Sequence, residues 1–136
     1  MNIKIKTAKR LLAVAELTAI TGTRIYRGKR LPRNQALKPP HIIIWQISKT
    51  PHYDHDGYSG LTDVTLQISC FSPDPDQADT MAVLVRQSME SWPTETNSID
   101  NVFLEDESEN FEKETLIHHI ALDMAIAYHE LGGKKQ

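Results

Sequence analysis

From Tyr58 to Phe71 the chain alternates between two kinds of side chain, and no other stretch constrains the fold as strongly. Tyr58, Thr62, Val64, Leu66, Ile68 and Cys70 point one way, while Ser59, Asp63, Thr65, Gln67 and Ser69 point the other. A period of two marks a strand with one face against a core, because successive side chains leave a pleated backbone on opposite sides. Upstream, His41 to Ser48 contains the run Ile42-Ile43-Ile44-Trp45 and reads as a strand buried on both faces. Between the two lies "TPHYDHDGYSG", which ends in the turn pair Asp56-Gly57. The expectation is an antiparallel hairpin with residues 50–57 as a projecting polar tip.

The flanking segments complete a small α+β domain. Thr7 is placed to cap a helix from about Ala8 to Leu17, with Leu11, Leu12, Ala15 and Ala19 near helical spacing and Gly22 as its stop. Thr23 to Arg27 reads as a short strand. "SPDPDQAD" writes a helix start: Asp74 as N-cap, Pro75 at the first helical position and Gln77 completing a capping box. Ala78, Met81, Ala82, Val85 and Met89 then form one apolar stripe, closed by Trp92 before Pro93. "SIDNVFLED" reads as a strand and "ESENFEKE" as an acidic turn. For residues 115–129 two readings stand. The Ala, Leu and Met content suits a helix, whereas the alternation of Leu116, His118, Ile120, Leu122, Met124, Ile126 and Tyr128 suits a strand. The order is α-β-β-β-α-β-β: a mixed, mostly antiparallel sheet of about five strands packed with two helices.

A length of 136 residues fits one domain. Residues 1–6, in which Ile3 and Ile5 alternate like a strand, read as an extended lead, either an N-terminal arm that docks on a neighbour or a disordered end, and 132–136 as a flexible tail. No stretch approaches the roughly 18 apolar residues that span a bilayer, and the N-terminus lacks the apolar core of a signal peptide. The single cysteine, Cys70, excludes an internal disulfide and leaves a Cys-based zinc site without partners.

Charge is strongly polarised along the chain. Residues 1–49 carry eleven Lys and Arg against Glu16 alone; residues 50–136 carry four against seventeen acids. Such a chain binds a polyanion with its basic part or pairs its two parts, within one molecule or between copies. The basic residues cluster as Arg24, Arg27, Lys29, Arg30, Arg33 and Lys38, and acids as Glu105, Asp106, Glu107 and Glu109. Tyr26 among the basic residues would suit a nucleic-acid backbone, but no recognition helix or stacking motif accompanies it.

Two metal chemistries are open to the tip. His52, Asp54, His55 and Asp56 are all of metal-ligating type. As a calcium loop counted from His52, positions 1 and 12 hold the wrong residues. As a zinc site, the tip lacks a nominated distant ligand, although His118, His119 and His129 are candidates. The plainer reading is a solvated hairpin tip. Cys70 lies on an apolar strand face, and no Gly-x-Ser-x-Gly elbow, phosphate loop or dinucleotide fingerprint occurs.

Taken in order, "TGTRIYRGKRLP", "KPPHIIIWQIS", "DGYSGLTDVTLQISCFSPD", the helix through "QADTMAVLVRQSM" and the final strand resemble the phage tail-completion, or tail terminator, family of long siphophage-like tails. The resemblance spans about residues 8 to 130 and implies one tail-terminator-like domain with no catalytic role, no cofactor and no metal. It implies a structural virion protein, assembled in the host cytoplasm, that forms a ring of six copies on the head-proximal end of the tail tube. That ring ends tube growth, meets the tube protein on one side and the head-completion or connector protein on the other, and lets DNA pass without reading its sequence. It favours the strand reading of 115–129. With it, Arg24, Arg27, Lys29, Arg30 and Arg33 are candidates to face Glu105, Asp106 and Glu107 of a neighbouring copy. His52, Tyr53, His55 and Tyr58 are candidates to touch a neighbour or another tail protein. The alternative is a metal-binding module or metal-dependent enzyme using residues 52–56.

Overall fold

The computed structural model describes residues 2–28 and 38–130. Among these residues a five-stranded sheet carries three α-helices on one face. Its strands are β1 (Ile25–Arg27), β2 (His41–Asp54), β3 (Gly57–Ser72), β4 (Ile99–Glu112) and β5 (Ile117–His129), in spatial order β1-β2-β3-β5-β4. Only the β1–β2 pair is parallel; the rest are antiparallel. This is the mixed, mostly antiparallel α+β architecture expected.

The alternating stretch behaves as its pattern requires. Thr62, Val64, Leu66, Ile68 and Cys70 are buried under the helices, facing Ile42 and Ile44 on one neighbour and Ile120, Leu122, Met124 and Ile126 on the other. Residues 115–129 resolve as a strand, β5, which lies between β3 and β4 and bonds to both. Leu116 falls outside it, in the β4–β5 turn at φ +58°, 63% exposed.

Several expectations are corrected. Residues 3–6 are not an extended arm but the first turn of α1 (Ile3–Leu12), because the Asn2 side chain accepts hydrogen bonds from the Lys4 and Ile5 amides. Ile3 then joins Thr7 and Leu11 on one buried helical face. Thr7, expected as the cap, is in mid-helix. Second, the single N-terminal helix is two, with α2 running Ala15–Thr21 to Gly22 at φ +60°. Leu17 lies six positions after Leu11, roughly a third of a turn out of phase on a continuous helix. The extended Val14 resets that phase, so both leucines reach the core.

Third, "ESENFE" is not a turn: β4 continues to Glu112, paired with β5 throughout. Fourth, β2 is buried only from His41 to Ile44; from Trp45 all its side chains but Pro51 are exposed. In α3 (Pro75–Ser91), Asp74 caps and Pro75 leads as expected, and the apolar stripe is buried. Gln77, however, accepts from the Ser72 hydroxyl at 2.8 Å, so the capping box is not closed. The 132–136 tail lies outside the described residues.

Candidate assembly interface

The β2–β3 hairpin reaches its turn later than a loop from residue 50 would. Tyr53 pairs with Tyr58 and Asp54 with Gly57, leaving His55 and Asp56 as the two turn residues. The Asp54 carboxylate accepts from the Asp56 amide at 2.9 Å, and Gly57 takes φ +105°, a conformation that suits glycine. Tyr53 is 70% exposed, its ring tilted against that of Tyr58 at 5.9 Å. His52 pairs instead with Asp63 of β3, Nε2 to Oδ2 at 2.6 Å.

The metal-ligating types therefore do not converge. Among the described residues no group of three or more His, Cys, Asp or Glu side chains could hold a metal ion. The distant histidines go elsewhere. His118 packs on Phe111 with centroids 4.6 Å apart, and His119 stacks on Phe71 at 4.3 Å. Phe71 in turn stacks on His41 at 4.6 Å, a three-ring ladder across β2, β3 and β5. Burial holds both His41 and His119 below the usual imidazole range, against the Lys38 carbonyl contact that raises His41.

Of the basic cluster, Lys29, Arg30 and Arg33 lie outside the described residues. Arg24 is occupied within the chain: Nε donates to the Pro40 carbonyl at 2.9 Å and Nη2 to that of Ile20 at 3.4 Å. Arg27 ends β1, half-buried at the sheet edge. At the other edge, β4 exposes Glu105, Asp106, Glu107 and Glu109. Glu105 accepts from the Thr65 hydroxyl at 2.9 Å across the face without helices. Arg27 and the acidic cluster thus sit at opposite edges of one sheet.

Sequence reasoning missed two further surfaces. Trp45, Ile47 and Phe103 are exposed apolar side chains near the sheet edges, at 41%, 57% and 49%. Their signal was present, in hydrophobic residues on strands that, among the described residues, have a short neighbour or none on one side. A groove of about 720 Å³ also opens between α1 and the end of α3, lined by Ile5, Lys6, Lys9, Val14 and Trp92 among others. Its floor is fixed by Arg10, whose guanidinium lies 5.2 Å from the Trp92 ring.

Residues 7–129 match the family "Tail completion protein gp17". The chain belongs to that family. As a tail completion protein it is a structural component of the virion tail. Its fold is also that of a chain in "Virion of native gene transfer agent (GTA) particle", with a TM-score of 0.71 over 90% of this chain and 91% of that one, at 14% identity. No curated protein sequence matches it. Among the described residues of this tail completion protein, no helix is long and apolar enough to cross a membrane.

Proposed function

We propose that six copies of this chain form a ring on the head-proximal end of the tail tube, where the ring ends tube growth and offers the surface that joins the head. The observation that carries this reading is the opposed charge on the two edges of one sheet in a tail completion protein: Arg27 at β1, and Glu105, Asp106, Glu107 and Glu109 on β4. A ring of identical subunits is built from heterologous contacts, one patch against a different patch on the next copy. Opposite charges at opposite edges meet that need.

The projecting tip, with His52, Tyr53, His55 and Tyr58, then contacts the tube protein, and the opposite end meets the head-completion protein. DNA passes through the lumen without base recognition. The role is structural and asks for no catalytic group, cofactor or metal. Electron microscopy of tube assembly tests it. Tubes polymerised with the purified chain should stop at a limited length with a ring at one end. Tubes that keep growing, bare at both ends, would contradict the reading.

A further inference from the structure

The sheet order carries register as well as charge. Arg27 pairs with Ile44, Ile44 with Ile68, Ile68 with Leu122 and Leu122 with Glu107. Arg27 and Glu107 are therefore the two ends of one rung across all five strands. Side chains on one rung share a face, and here the shared face is the one that buries Ile44, Ile68 and Leu122.

Strand direction is equally constraining. β1 runs with β2, β3 against it, β5 with it and β4 against it. A second copy set beside the first in the same orientation, as a rotational ring requires, brings its β4 against β1 antiparallel. Antiparallel is also the better-bonded arrangement. Among the described residues β1 has a strand neighbour on one side only, and so does β4. An open strand edge is a template for another chain, which acidic side chains guard against self-pairing. Two β4 edges would bring Glu107 and Glu109 against like charge; a β4 edge against β1 brings Glu107 to Arg27.

We infer that, in the ring proposed above and resting on that reading, β4 of one copy adds antiparallel to β1 of the next, with Glu107 beside Arg27, so that the sheet continues across the subunit boundary. Exposed Trp45 and Ile47 on β2 and Phe103 on β4 give this junction an apolar flank. The repulsion between acidic edges selects head-to-tail pairing over a closed two-fold dimer.

Charge exchange and cross-linking on tail tubes test the contact in the full chain. Arg27→Glu and Glu107→Arg should each abolish tube capping, and the two together should restore at least half of it. In a second variant, Arg27→Cys with Glu107→Cys, oxidation on capped tubes should give a covalent ladder of multimers, while either single cysteine gives none. Native Cys70 is buried, and with Glu107 replaced that burial alone still pushes its thiol up, so the introduced pair reports the contact. Wild-type rings with neither rescue nor ladder would overturn the edge junction and leave the ring reading standing. Failure of the wild-type chain to cap tubes or multimerise would remove both.

Discussion

Arg10 on α1 and Glu95, just past the short 3-10 turn Trp92–Thr94, form a two-pronged ion pair, with Nη1 to Oε1 at 3.0 Å. The same guanidinium donates from Nε and Nη2 to the Ser88 carbonyl, at 3.0 and 2.8 Å, and lies over Trp92. It thereby caps a carbonyl in the last turn of α3 that also accepts from the Ser91 hydroxyl at 3.0 Å. One side chain ties the first helix to the end of the third.

The Arg10 side chain is only 15% exposed, and its loss removes two hydrogen bonds to a part-buried carbonyl together with the ion pair. Arg10→Ala should cost about 2 kcal/mol in urea unfolding, in the range for hydrogen bonds to a charged group. Glu95→Gln should cost less, because Glu95 is exposed and water screens its share. The hydrogen bond from Arg10 holds the Glu95 carboxyl below its usual range, and this outweighs the opposing effect of desolvation. Its contribution is therefore present above the unfolded value near 4.5 and lost as pH falls through the lowered folded value. Wild type and Glu95→Gln should converge in stability below that window, and a gap that persists in acid would refute the assignment.

A second expectation concerns close contact. A Cβ on Gly28 would stand 2.2 Å from the Trp45 ring. Gly28→Ala must therefore displace Trp45, which is 41% exposed, or shift the end of β1. A cost of about 1–3 kcal/mol is expected for such overpacking. With Trp92→Phe as background, Trp45 is the remaining tryptophan, and its emission should move to the red as the ring turns into water. Unchanged emission and stability would mean that the glycine is not needed there. Because Trp45 flanks the proposed junction, the same variant should also cap tubes less well.

How far the sequence foretold this arrangement differs from element to element. Tyr58 to Phe71 was legible because its alternation continues wherever the strand is laid. The α3 stripe was legible because Asp74 and Pro75 fix where the helix starts. The break at Ala13 and Val14 was not, since neither residue is a breaker and the cause is the phase of Leu17 relative to Leu11 in a core that only the fold assembles. The acidic end of β4 looked like a turn because an edge strand needs no apolar face, and charge there guards the edge instead. That Arg27 and Glu107 share a rung was beyond the sequence altogether. It depends on β5 entering between β3 and β4, and on the bulges at Gln46/Ser48 and Leu104/Asp106 that set the register.

The ladder of His41, Phe71 and His119 should make stability depend on pH. Both imidazoles are held below 6.5 by burial, and the His119 Nε2 is buried without a hydrogen-bond partner among the described residues. The unfolded chain takes up these protons near 6.5, while the folded chain resists them. Stability from this source is therefore complete above 6.5 and declines as pH falls from 6.5 toward the lowered folded values. His119→Phe keeps a ring against Phe71 and removes the titrating nitrogen. Its unfolding free energy should fall less steeply than that of wild type below pH 6.5. His41→Phe should show the same flattening in smaller measure, because the Lys38 carbonyl contact at 3.2 Å partly supports the charged form there. Equal slopes for wild type and both variants between pH 7.5 and 5 would assign the pH dependence to other groups.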